Sequence, residues 1–166
     1  GGADGIPEDS VAKQLSERAL AYLEQRGYQG MEPAYAQFYN GVAVFNFAAT
    51  QDDVILYADL IKVYVEQASG AIIGVDATNY LMSHTQRELD TPAIDEAQAA
   101  YAVCDGLEVQ STRLALIPKT ASTEVLCYEF KGDCRGQHFI VYINARTGAE
   151  EEIYQVIDSE QGKLVV

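Results

Sequence analysis

The sequence predicts an α+β fold made of two tandem repeats, each one helix packed on a four-stranded antiparallel sheet. Three observations predict it. Each half opens with an apolar stripe at helical spacing. Each continues into strand-like segments that alternate apolar and polar residues around turn signals. The last strand, turn and strand of the first half recur in the second at a constant offset of 78 residues.

The first helix is read from Val11, Leu15, Ala19, Tyr22 and Leu23, with Lys13, Gln14, Glu17, Glu24 and Gln25 on the other side. Pro7 suits its first turn and Gly27 its end. Strands Ala34–Tyr39 and Val42–Ala48 flank Asn40-Gly41, a strong hairpin signal. Gln51–Tyr57 reads as a hairpin loop. In DLIKVYVEQASGAIIGVDA, residues 59–77, Ile61, Val63 and Val65 share one face while Lys62, Tyr64 and Glu66 share the other. Gly70 supplies the positive φ of a tight turn.

The domains expected are residues 6–78, a packed connector over 79–92, and residues 93–166. In the connector, Tyr80, Leu81, Met82 and Leu89 are expected to be buried, because a free linker would be poorer in large apolar residues. The second helix starts at a capping box of Asp95 and Gln98, carries Ala99, Tyr101 and Val103, and stops near Asp105-Gly106. Strand Val109–Ile117 leads through a Pro118–Thr123 loop into Glu124–Lys131. HFIVYINARTGAEEEI at 138–153 then repeats the earlier hairpin, matching Val63 to Val141, Tyr64 to Tyr142 and Gly70 to Gly148.

With 11 basic against 25 acidic residues, the net charge is −14. Residues 1–83 carry 4 bases and 11 acids and residues 84–166 carry 7 and 14, so each half sits at −7. A nucleic-acid binder needs clustered Lys and Arg for phosphates, and an anionic lipid surface needs the same. Both partner classes are excluded. No apolar run approaches the ~20 residues that span a bilayer. Gly1 and Gly2 read as a cloning scar, so that a native targeting segment would have been cut away.

The chemistry-bearing residues are sparse. Elbow-type serine, zincin, phosphate-loop and C-x-x-C motifs are all missing, and His84 and His138 are the only histidines. Cys127, Cys134 and His138 are the best metal candidates, but C-x6-C-x3-H is not a zinc spacing, and no metal or cofactor is expected. The odd count of Cys104, Cys127 and Cys134 does not read as a disulfide framework. Asp52-Asp53 and Glu150-Glu151-Glu152 read as solvated surface rather than as a paired-carboxylate site. Tyrosine stands out, with 11 copies and no Trp. Tyr64, Tyr128 and Tyr142 are expected on the sheet face away from Val63 and Val141, where they would form a partner-binding surface; the alternative is that they pack inside the fold.

The helix-plus-sheet repeat, ending in strand, Gly turn and strand, resembles a PepSY domain. More specifically, residues 6–166 are similar to the C-terminal region of the YpeB-like spore germination proteins of Bacillus and Clostridium relatives. The resemblance rests on DLIKVYV at 59–65, YLMSH at 80–84, RLALIP at 113–118, EVLCYEFKG at 124–132 and VYINARTGAEE at 141–151. Ala58 stands where the pattern has Pro, Asn79 where it has Gly, and Cys104 and Cys134 lie outside it. The resemblance implies a non-enzymatic, extracytoplasmic spore protein that stabilises or restrains a SleB-type cortex-lytic hydrolase. In the full-length protein an N-terminal anchor, missing here, would hold it at the inner membrane or cortex. PepSY domains more widely imply a second expectation, an extracytoplasmic peptidase inhibitor or chaperone-like module.

Overall fold

The computed structural model describes residues 6–103, 105–159 and 162–165, with 156–159 and 162–165 described by backbone alone. The expectation about Cys104 therefore lies outside the described residues. The elements are α1 (Asp9–Gln25), β1 (Glu32–Tyr39), β2 (Val42–Gln51), β3 (Val54–Glu66), β4 (Ile72–Asp76), α2 (Thr78–Ser83), α3 (Glu96–Ala100), β5 (Glu108–Pro118), β6 (Glu124–Cys134), β7 (Gln137–Asn144), β8 (Glu150–Ser159) and β9 (Gly162–Val165). The chain forms two compact units. Unit 1 holds the described residues of Gly1–Gln51, Ala58–His84 and Asp158–Leu164, and unit 2 those of Asp52–Tyr57, Thr85–Ile157 and Val165–Val166.

In unit 1, α1 buries Leu15, Ala19 and Leu23, one residue per turn on a single stripe. The helix ends because Gly27 takes φ +92°, which lets Tyr28 N–H donate to the Leu23 carbonyl at 3.0 Å. β1 and β2 join through Asn40 and Gly41, both at positive φ as the turn signal requires, and pair antiparallel from Tyr39↔Val42 to Glu32↔Ala48. A bulge lies between Pro33 and Tyr35. Ile61, Val63 and Val65 are fully buried, whereas Lys62 and Tyr64 are half-buried, so the predicted alternation holds.

The loop expected over Gln51–Tyr57 is not a loop. β2 runs through Gln51 and β3 starts at Val54, leaving a two-residue turn of Asp52 and Asp53 at φ 50° and 64°. Asp tolerates the left-handed region, so the pair replaces the usual Asn-Gly, and Val54, Ile55 and Leu56 are buried in strand rather than exposed.

In unit 2, α3 is only five residues long but is capped as predicted. Gln98 N–H donates to Asp95 Oδ1 at 2.7 Å and Asp95 N–H to Gln98 Oε1 at 2.9 Å. Ala99 shares a core with Tyr128, Phe130, Val141, Ile143 and Ala145. β5, β6, β7 and β8 follow one another in an antiparallel order. One pairing departs from the all-antiparallel expectation: Ile55 and Leu56 of β3 pair parallel with Ala115 and Leu116 of β5. The long connection through α2 and α3 makes such a crossover sterically possible.

The repeat is real in atomic detail. Glu66 N–H donates to Ala71 O at 2.9 Å, and Asn144 N–H, 78 residues on, donates to Ala149 O at 2.8 Å. Gly70 and Gly148 have φ 73° and 78°. Both hairpins carry a bulge at the matching step, Tyr64/Val65 and Tyr142/Ile143. Gly132 in EVLCYEFKG has a different role: a Cβ there would sit 2.4 Å from the Glu108 carbonyl oxygen, so the close approach of β5 and β6 requires glycine.

Candidate functional site

In unit 2 the most unusual group is a buried carboxylate. Glu129 is 1% exposed and stands opposite Arg113 on β5 and Tyr142 on β7. Tyr142 Oη donates to Glu129 Oε2 at 2.7 Å, and Tyr57 Oη donates to the same oxygen. Glu129 Oε1 has no hydrogen-bond partner among the described residues; Lys131 Nζ lies 3.8 Å away. Tyr57 and Tyr142 meet edge to face at 6.0 Å, and Tyr142 and Tyr154 at 5.9 Å. Burial, reinforced by the adjacent Glu129 charge and the neighbouring phenol, pushes the Tyr142 hydroxyl far above its ordinary value. Burial first and Glu129 second do the same to Tyr57. Both phenols therefore stay protonated donors. The arrangement holds the Glu129 carboxylate inside the fold on two hydroxyl donors.

In unit 1 a second polar group clamps α2. Asp59 is fully buried, and His84 Nδ1 donates to its Oδ2 at 2.8 Å. The His84 ring stacks on Tyr80 at 4.3 Å, and Tyr80 meets Tyr28 edge to face at 5.3 Å. Thr78 N–H donates to Asp76 Oδ1 at 3.0 Å at the other end of the helix, and the Thr78 hydroxyl first and this N–H second hold the Asp76 carboxyl below its ordinary value. The helix is thus tied down at Tyr80 and His84, while Leu81 and Met82 between them point outward, 72% and 81% exposed. This corrects the expectation that Leu81 and Met82 are covered. Once Tyr80 turns toward Tyr28 and His84 toward Asp59, a single helical turn leaves Leu81 and Met82 facing solvent.

The three predicted tyrosines do not form one surface. Tyr64 is half-buried, its ring beside Gly74, where a Cβ would lie 3.5 Å from Tyr64 Cδ2. Tyr128 and Tyr142 are 8% and 6% exposed. They lie on opposite faces, because the β6–β7 register pairs Tyr142 with Glu129 and Tyr128 with Ile143. Tyr128 faces the α3 core and donates to the Ile94 carbonyl at 2.7 Å. The expected shared orientation of Tyr128 with Tyr142 is therefore corrected.

Cys127, Cys134 and His138 are likewise held apart. Cys127 pairs with Asn144 at one end of the β6–β7 ladder, and Cys134 with Gln137 at the other. Seven residues of strand separate the two thiols by about 23 Å. Burial pushes the Cys127 thiol up to about 12. His138 Nδ1 pairs with Asp133 instead. Among the described residues no group of three His, Cys, Asp or Glu side chains is placed to hold a metal ion. Glu151 is engaged by Asn144 and Lys119, whose hydrogen bonds hold its carboxyl below the ordinary range. Among the described residues no helix is long and apolar enough to cross a membrane.

Sequence reasoning passed over Asp59, His84 and Glu129 as functional or structural centres. The available signal was a lone acid inside an apolar strand, at Asp59 in DLIKVYV and at Glu129 in EVLCYEFKG; such a residue requires a partner.

A capped helix over an antiparallel meander, closed by a strand, a Gly turn and a bulged strand, defines a PepSY-domain protein. Residues 93–154 match the family model "Peptidase propeptide and YPEB domain", and residues 8–90 match "YpeB sporulation, PepSY1 and PepSY2 domains". The chain belongs to the YpeB family of sporulation proteins. It is 35% identical over 156 residues to the sporulation protein YpeB of Halalkalibacterium halodurans, covering 93% of this chain and 35% of that one. The same protein of Bacillus subtilis is 35% identical over 147 residues, covering 87% of this chain and 33% of its own. The chain thus spans about a third of the length of these curated relatives. Among solved structures, the Bacillus megaterium YpeB C-terminal domain superposes with a TM-score of 0.84 at 28% identity, covering 93% of this chain and 69% of that one.

Proposed function

We propose that this chain is a non-enzymatic interaction module in spore germination that binds a SleB-type cortex-lytic hydrolase and stabilises or restrains it. The observation that carries the reading is the α2 surface. Leu81 and Met82 are presented to solvent by a helix whose neighbouring residues, Tyr80 and His84, are locked onto unit 1. Exposed Leu and Met held on a rigid support are suited to a protein partner, because little conformational entropy is lost on docking. The family membership supports the sporulation context, and the acidic surface would steer a basic face of the partner. In the full-length protein the module would stand outside the cytoplasm, at the inner membrane or cortex.

Calorimetric titration with the cognate hydrolase, paired with a cortex-hydrolysis assay, tests this. Binding is expected, weakened at least tenfold by Leu81→Ser with Met82→Ser. Slowed hydrolysis would mean restraint, and unchanged hydrolysis stabilisation. No binding, or binding indifferent to the double substitution, would refute the reading. The family description that matches residues 93–154 favours a second one, an extracytoplasmic peptidase inhibitor or chaperone-like module. Titration against spore and cell-wall peptidases separates the two.

A further inference from the structure

The sequence holds two thioethers, and the fold treats them oppositely. Met31, just ahead of β1, is 5% exposed, whereas Met82 on α2 is 81% exposed. The backbone that carries Met82 is fixed at both ends of its helix. Thr78 N–H donates to Asp76 at one end. At the other, the His84 ring is bonded to buried Asp59 and stacked on Tyr80. Turning Met82 inward would break these contacts, so its side chain stays in water beside exposed Leu81. A thioether is a soft, polarisable nucleophile with no proton to lose, so access rather than pH governs its reactivity. Oxidation turns this flexible apolar side chain into a polar one.

We propose that Met82 is an oxidation site, at which a peroxide makes the apolar turn of α2 polar without disturbing the fold. The sulfur lone pair attacks one oxygen of hydrogen peroxide, and the S–O bond forms as the O–O bond breaks. The hydrogen on the transferred oxygen passes to the departing hydroxide, so water leaves. Sulfur loses two electrons and the peroxide gains them, giving the sulfoxide. At Met82 the new S–O dipole is hydrated and costs the folded chain nothing, whereas at Met31 it would enter the core. Against an apolar partner surface the same dipole loses its water, and docking weakens by about tenfold or more. Weaker docking follows only if the hydrolase reading holds; the reactivity of Met82 and the intact fold do not rest on it.

The test treats the whole chain with hydrogen peroxide, quenches it with catalase at intervals, and maps the digest by mass spectrometry. Met82 is expected to gain oxygen about tenfold faster than Met31 or more, because Met31 reacts only through openings of the core. A Met31→Leu chain, which keeps the buried volume, is then oxidised fully at Met82. Its urea midpoint should stay in place, and it should elute earlier from a hydrophobic-interaction column. A Met31→Leu, Met82→Leu chain should show no earlier elution after peroxide, which separates the effect from cysteine oxidation. Equal rates at the two methionines, a midpoint lowered by Met82 oxidation, or unchanged elution would overturn the proposal. Titrated against the cognate hydrolase after desalting, the oxidised Met31→Leu chain should bind about tenfold more weakly than before oxidation. Equal binding would overturn the effect on docking. No binding before oxidation would refute the hydrolase reading alone, and the map, the midpoint and the elution would still decide the oxidation site.

Discussion

Replacing Glu129 by Leu should change sign according to the tyrosines around it. In the native background the substitution strands the Tyr57 and Tyr142 hydroxyls, which both donate to Glu129 Oε2. A buried donor left unsatisfied costs about 1–3 kcal/mol, so the loss should be about 2–5 kcal/mol. Tyr142→Phe alone removes one donor to a charged group that is 1% exposed, a loss of about 2–3 kcal/mol. With Tyr57→Phe added, the carboxylate keeps Lys131 at 3.8 Å but neither hydroxyl donor, and the loss should reach about 4 kcal/mol or more. Into that double-Phe background Glu129→Leu should restore about 2 kcal/mol, because an apolar group of similar size no longer needs donors. Urea unfolding followed by circular dichroism resolves these differences, with an unchanged slope as the sign that the folded state is intact. If Glu129→Leu costs the same in both backgrounds, the hydroxyl network does not stabilise the buried charge and the reasoning fails.

The same phenols set an alkaline limit. Their folded values lie far above the unfolded value near 10. Stability is therefore full below pH ~10 and falls as pH rises beyond it, by about 1.4 kcal/mol per unit per phenol; Tyr142→Phe should make the fall shallower in pH-dependent urea melts. Gly132→Ala forces a Cβ to 2.4 Å from the Glu108 carbonyl oxygen, and a thermal melt should register a loss of about 2–4 kcal/mol. In a Cys104→Ser background, an aromatic disulfide reagent at pH 8 should label half-buried Cys134 quickly and fully buried Cys127 only on unfolding. The Cys127 thiol at about 12 leaves roughly one thiolate in ten thousand at that pH. Two fast thiols would mean that β6 opens readily around Cys127.

Much of the fold was legible because its signals are local. The Leu15, Ala19 and Leu23 stripe of α1, the Asn40-Gly41 turn, the Asp95 and Gln98 capping box and the paired Gly70 and Gly148 turns each depend on residues a few positions apart, and each is found where the sequence places it, whereas Val11 at the start of the expected stripe is exposed. The candidate site was far less legible. Its contacts join residues distant in sequence: Tyr57 to Glu129, Asp59 to His84, Tyr28 to Tyr80. The apolar character of Leu81 and Met82 argued for burial, and nothing in YLMSH says that Tyr80 reaches Tyr28 and His84 reaches Asp59.

The sequence by itself determined the α+β class, the duplicated hairpin and the resemblance to the YpeB family. Backbone propensity, turn chemistry and period-two alternation are written residue by residue. Tertiary structure alone decided which polar groups were buried together and which apolar groups were left out. The reason is register. The turn at Arg135 and Gly136 pairs Cys134 with Gln137, so Glu129 stands opposite Tyr142 and Tyr128 falls on the other face. A slip of one residue would have reversed both assignments without altering the composition or alternation of either strand.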